Sequence, residues 1–201
     1  MPKSCLQKIL ITECSFRDFD PPSLRGNRCI KIKETDPSAK LKEVILKDLS
    51  ENDICLTFDV GSGDIAKYSP LLNDYTKDDG YTYNKRCDFI IIRILGSSCY
   101  VYFGDLKSEA PKREAVFKQL QASKLFFDYI KSIIMLEHPE LDILENYIAK
   151  YVCYHKKTVR TVRAPIRSVA QRKSLPKSDA LKFYPLEVDA NGKATTSFNS
   201  I

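Results

Sequence analysis

Cys87-Asp88-Phe89-Ile90-Ile91-Ile92 and, a short break later, Tyr100-Val101-Tyr102-Phe103-Gly104-Asp105-Leu106-Lys107 decide how this chain is read. Both runs are rich in β-branched and aromatic residues, the composition of strands. The break between them, Arg93 to Cys99, contains Gly96-Ser97-Ser98, a hairpin turn signal. Residues i and i+2 of a strand face the same side. Asp105 and Lys107 therefore point together, and Leu106 points into the opposite layer. A hairpin that brings Asp88 alongside would gather two carboxylates and an ammonium at one spot.

Such a cluster suits a divalent metal and an attacking water. Mg²⁺ prefers oxygen ligands and keeps several waters. Asp88 and Asp105 would supply carboxylates and Leu106 a backbone carbonyl, with Mn²⁺ as an alternative ion. Lys107, near the metal and a scissile phosphate, would orient or deprotonate the water and stabilise developing charge. The first expectation is a phosphodiester-cleaving nuclease. The plain alternative for Asp105 and Lys107 is a strand-end ion pair facing solvent.

Outward from the hairpin, Ser4 to Ile11 reads as a short strand or half-turn, and Asp20-Pro21-Pro22-Ser23 breaks any helix. Arg28 to Lys33 alternates as a strand. Asp36-Pro37-Ser38 opens an expected helix to about Leu49, with Leu41, Val44, Ile45 and Leu49 as its apolar stripe. Asp53 to Val60 reads as the next strand. Its end, Gly61-Ser62-Gly63-Asp64, lacks the third glycine and the helix of a phosphate-binding turn, so it is taken as a loop. Ala66 to Asn84 is also loop-like. After the hairpin, Val116, Leu120, Phe127, Ile130 and Ile134 mark the buried side of a long helix from about Arg113 to Leu136. A further helix from Pro139, a strand at Tyr151 to Tyr154 and a terminal strand at Lys182 to Val188 complete the chain. Asp189-Ala190-Asn191-Gly192 closes it with a turn. The order suits an α/β fold, a mixed central sheet flanked by helices.

Composition narrows the function classes. The 201 residues suffice for one domain, and 43% of them are hydrophobic, enough for a core. No apolar run is long enough to span a bilayer and the start lacks a signal-peptide pattern, so a cytoplasmic protein is expected. The seven cysteines show no C-x-x-C spacing and read as reduced and structural. Cys153-Tyr154-His155 has metal-ligating residue types without visible partners, which favours buried strand residues. From Tyr154 to Lys182, nine lysines or arginines face one acid, Asp179, whereas the whole chain carries only +6. Concentrated positive charge suggests a polyanion such as nucleic acid. Lys156, Lys157, Arg160, Arg163 and Arg167 are the expected phosphate contacts. A solvated basic linker is the other reading.

The hairpin motif resembles the PD-(D/E)xK, or restriction-endonuclease-like, nuclease superfamily. Asp88 stands at the head of one strand and Asp105-Leu106-Lys107 at the end of the next. The expected α-β-β-β-α-β order is similar to that family's core and covers roughly Pro37 to Tyr154. The resemblance implies an acid on the first core helix, for which Glu43 is the best placed and Asp48 second. It also implies a polar residue on the following helix, Gln119 or else Gln121. The chain departs from the commoner pattern in having Cys87-Asp88 for Pro-Asp and Asp105 for Glu.

The chain is thus expected to be one nuclease-like domain, 1–201, with its core at about 37–154. A basic segment at about 155–182 and a terminal strand follow. Its expected activity is Mg²⁺-dependent endonucleolytic cleavage of DNA, in restriction or antiphage defence. RNA remains open as substrate, and a homodimer or a regulatory partner protein is expected. The alternative is a non-catalytic nucleic-acid-binding or interaction subunit that keeps the fold.

Overall fold

The two strands of the hairpin form as their composition requires. The computed structural model describes residues 28–34, 38–58, 84–109, 111–139, 142–157 and 181–201. The expected strand at Ser4 to Ile11, the Gly61 to Gly63 turn, nearly all of the loop to Asn84, and Arg160, Arg163 and Arg167 lie outside these residues.

Strand β4 (Phe89–Leu95) pairs antiparallel with β5 (Ser98–Lys107), Phe89 opposite Gly104 and Leu95 opposite Ser98. Gly96 and Ser97 make the turn, with Gly96 at φ +59°. A glycine in the left-handed region at the first central position is the two-residue turn whose twist matches the strands. Strand β3 (Ile54–Leu56) adds antiparallel to β4. Strand β6 (Ile148–Lys156) adds parallel to β5, and β7 (Leu181–Leu186) parallel to β6. The sheet order is β3-β4-β5-β6-β7. Parallel neighbours need a crossover, which helix α1 (Arg113–Glu137) supplies between β5 and β6. Its buried residues include Val116, Leu120, Phe127, Ile130 and Ile134, the expected stripe. They pack on Ile90, Ile92, Val101 and Phe103.

The other face of this sheet meets a second, three-stranded sheet. Strands β1 (Arg28–Lys33), β2 (Glu43–Leu49) and β8 (Lys193–Ser197) lie in the order β1-β2-β8, antiparallel then parallel. Ile30, Ile32, Val44 and Leu46 pack there against Phe89, Ile91, Leu106 and Tyr154. The protein is therefore mixed α/β. Its layers are one helix, a five-stranded mixed sheet and a three-stranded mixed sheet. Arg93 ties the second sheet's end to the hairpin. Its guanidinium grips Asp53 at 2.5 Å and lies 4.3 Å from the Phe198 ring, in the 3-10 turn after β8.

Three expectations are corrected. The segment from Pro37 to Leu49 holds no helix among its described residues: its second half is strand β2. The apolar spacing misled because β2 is bulged. Arg28 pairs with Leu49 and Ile30 with Leu46, so one residue of β1, Cys29, faces two of β2, Lys47 and Asp48. Asp48 takes φ +64° there, a conformation that Asp tolerates better than most residues. The insertion turns a period of two into an apparent helical spacing. Among the described residues after Pro139, the expected helix is replaced by a 3-10 turn, Asp142–Leu144, which buries Leu144. The expected core limits, 37–154, are too narrow, since β1, β7 and β8 lie beyond them. Glycine 192, at φ +81°, and the Asp189 side chain, which accepts from the Asn191 and Lys193 N–H groups, shape the turn into β8.

Candidate functional site

The hairpin brings its acids together. Asp88 immediately precedes β4, and its N–H donates to the Gly104 carbonyl at 3.0 Å. Its Oδ2 in turn accepts from the Leu106 N–H at 2.5 Å. The side chain thus reaches over the end of β5, beside Asp105. Asp105 shares the helix-facing side of β5 with Val101 and Phe103 and is 0% exposed. Lys107, two residues on, places Nζ 2.6 Å from Asp105 Oδ2. Leu106 points into the layer between the sheets, as the strand period requires.

Helix α1 closes the site from above. The Gln119 amide donates to Asp105 Oδ1 at 3.0 Å and to the Arg86 carbonyl at 2.7 Å. Ser123, one turn on, accepts from the Cys87 N–H at 2.9 Å and donates to the Gln119 carbonyl at 3.3 Å. These bonds lock both strand entry and helix around the acids. Asp105 Oδ2 receives no aligned hydrogen-bond donor; it meets Lys107 as an ion pair.

The electrostatics follow from burial. Burial, and then the neighbouring charge of Asp105, push the Asp88 carboxyl well above its usual range; Lys107 and the Leu106 N–H offset only part of this. Burial likewise raises Asp105, against the pull of Lys107. A hydrogen bond from Asp88 pulls Asp105 the other way and offsets part of the effect of burial. Burial works against the Lys107 ammonium, but Asp105 and Asp88 more than offset it and hold the amine above its ordinary value. Cys87 and Cys153, both 0% exposed, flank the acids; burial pushes their thiols far up, so they are inert. All five described cysteines are buried.

A third acid comes from an unexpected place. The charge of Glu34, just past β1, bears on both Asp88 and Asp105. Its backbone N–H donates to the Lys42 carbonyl. The Ser108 hydroxyl, one residue beyond Lys107, accepts from the N–H groups of Lys40 and Leu41 at 2.8 and 3.2 Å. That tie draws the β1–β2 connection onto the end of β5 and Glu34 toward the acids.

Glu43 is corrected. It opens strand β2 rather than riding a helix, is 8% exposed, and sits between Lys31 at 3.9 Å and Lys193 at 3.6 Å. Its charge is not among the leading influences on the acid pair. Asp48 lies at the bulge of the same strand. Gln119 stands where expected, and Gln121 is exposed on the other side of the helix.

Two oxygen-donor side chains and the Leu106 carbonyl suit a hard cation. The burial of both acids and the charge that Asp105 sets beside Asp88 are what a divalent ion would relieve. Among the described residues, no group of three or more His, Cys, Asp or Glu side chains is arranged to hold a metal. Glu34 bears on the acids through its charge.

Strands β5 and β6 run parallel with Lys107 opposite His155. The chain therefore leaves β6 toward its basic segment at the very edge that carries the acids. Lys156 and Lys157 stand at this exit, Lys157 paired with Glu187 at 2.9 Å on the surface. No helix among the described residues is long and apolar enough to cross a membrane. Neither protein-family models, curated proteins nor solved structures match the chain.

Proposed function

We propose that Asp88, Asp105 and Lys107 form the active site of a metal-dependent endonuclease that hydrolyses phosphodiester bonds of DNA. One observation carries the reading: two carboxyls from different strands are held against each other in a largely buried site, with one lysine beside them. A structural ion pair needs one acid. A second one beside it costs stability through burial and repulsion, which a functional cation would repay.

In this reading Asp88, Asp105 and the Leu106 carbonyl hold Mg²⁺, which supplies Lewis acidity and eases ionisation of a bound water. Gln119 anchors Oδ1 of Asp105 and leaves Oδ2 facing Lys107. Lys107 stabilises charge on the phosphate. Glu34 replaces Glu43 as the third acid. Lys156, Lys157 and the basic residues that follow bind flanking phosphates. The order of hairpin acids, Asp-x-Lys and glutamine helix supports membership of the restriction-endonuclease-like group. The strand in place of the first core helix is a departure from it. Restriction or antiphage defence is the setting proposed, with a second copy or a regulatory protein as partner.

Lys107→Ala and Asp105→Asn should each lower Mg²⁺-dependent cleavage by about 10²-fold or more while DNA binding persists. Undiminished cleavage by either purified variant would remove the assignment. The lack of a third metal-holding side chain among the described residues favours the second reading, a binding or interaction subunit. That reading predicts DNA binding with no Mg²⁺-dependent cleavage by the wild type.

A further inference from the structure

We propose that His155 is a further residue of this site, with its Nε2 accepting the proton of the attacking water; the inference rests on the nuclease reading. Three observations place it there. His155 is the β6 residue directly opposite Lys107 in the parallel pair. It lies on the helix-facing side of the sheet, in alternation with Tyr151 and Cys153 of that core, the side that Asp105 and Lys107 share. Adjacent strands are about 4.8 Å apart, so His155 and Lys107 occupy neighbouring positions on the same side of the sheet.

The ring is oriented for such a role. His155 Nδ1 lies 3.1 Å from the Lys156 carbonyl. A carbonyl only accepts, so Nδ1 carries the hydrogen, and the neutral ring leaves its lone pair on Nε2. Among the described residues nothing bonds Nε2. Phe183 of β7 meets the imidazole edge-on, centroids 6.2 Å apart, and is itself covered by Arg113 at 5.6 Å. Lys107 Nζ is already engaged with Asp105 at 2.6 Å. Among the described residues of this edge, His155 Nε2 is thus a nitrogen left open to accept.

The step balances without a further reactant. The water's oxygen forms a new bond to phosphorus as its proton passes to Nε2. The opposite P–O ester bond breaks, and its electron pair leaves with that oxygen, which takes a proton from solvent. His155 then returns its proton to solvent.

The test uses the full chain, a labelled DNA duplex and Mg²⁺. His155→Ala and His155→Gln should each lower kcat by about 10²-fold or more, with KM, melting temperature and calorimetric Mg²⁺ affinity close to wild type. Added imidazole should restore part of kcat in His155→Ala, where the ring has left a space, and not in His155→Gln. Wild-type kcat in either variant, loss of Mg²⁺ affinity, or no imidazole rescue would overturn the role of His155 while Lys107→Ala still reports on the nuclease reading. A wild type that cleaves nothing would overturn both.

Discussion

Asp105 is the residue on which the proposal turns. It is wholly buried, bonded to Gln119 on one oxygen and faced by Lys107 on the other. It and Asp88 both titrate above the ordinary aspartate value of 3.8. The sign of the stability effect follows. Folding favours the protonated pair, so its contribution is fully present below about pH 4 and is lost as pH rises through the raised native values. Once ionised, the acids oppose folding. Asp88→Asn keeps an oxygen for the Leu106 N–H and removes one charge. It should therefore raise the melting temperature at pH 7 and flatten the decline of stability above pH 4. Mg²⁺ should raise the melting temperature of the wild type and leave Asp88→Asn nearly unmoved. Melting curves over pH, with and without Mg²⁺, check both. A lower melting temperature for Asp88→Asn at pH 7 would contradict the account.

At the scale of elements, the hairpin depends on Gly104. A Cβ there would lie 1.8–2.2 Å from the buried Phe89 ring, and Phe89 is its cross-strand partner. Glycine leaves room for the ring to cross the strand, and the crossing fixes the register that sets Asp88 beside Asp105. Gly104→Ala should cost about 1–3 kcal/mol or more, as overpacking does, read by denaturant unfolding. A variant of unchanged stability would show that the register has another determinant. The hairpin and α1 were legible because their signals are local: Gly96 between two apolar runs, and Val116, Leu120, Phe127, Ile130 and Ile134 at helical spacing. Strand β2 was not, because its bulge at Asp48 disguises the period and its partners, Ile30 to Lys33 and Ala194 to Ser197, are distant in sequence. Glu34 was hidden for the same reason. The ties of Lys40 and Leu41 to Ser108 and of Lys40 to Glu109 draw its segment toward the acids, and nothing in Glu34-Thr35-Asp36 announces that.

For the whole molecule, the layering places chemistry and charge on one edge. Parallel β5 and β6 end together, so the acids, His155 and the start of the basic segment share that edge, while the second sheet and α1 close the two faces. Nucleic acid bound there should be held largely by phosphates, with affinity falling linearly in log salt. The double variant Lys156→Ala/Lys157→Ala should shallow that slope by about 2 if both contact phosphates; fluorescence anisotropy across a salt series reads it, and an unchanged slope would place the contacts elsewhere.

The most direct test of the central claim is cleavage of supercoiled plasmid by purified wild type and Asp105→Asn, with Mg²⁺ or with EDTA. The account predicts nicked or linear product for the wild type with Mg²⁺, none with EDTA, and about 10²-fold less or none for Asp105→Asn. Equal cleavage by the two proteins, or intact plasmid under every condition, would contradict it.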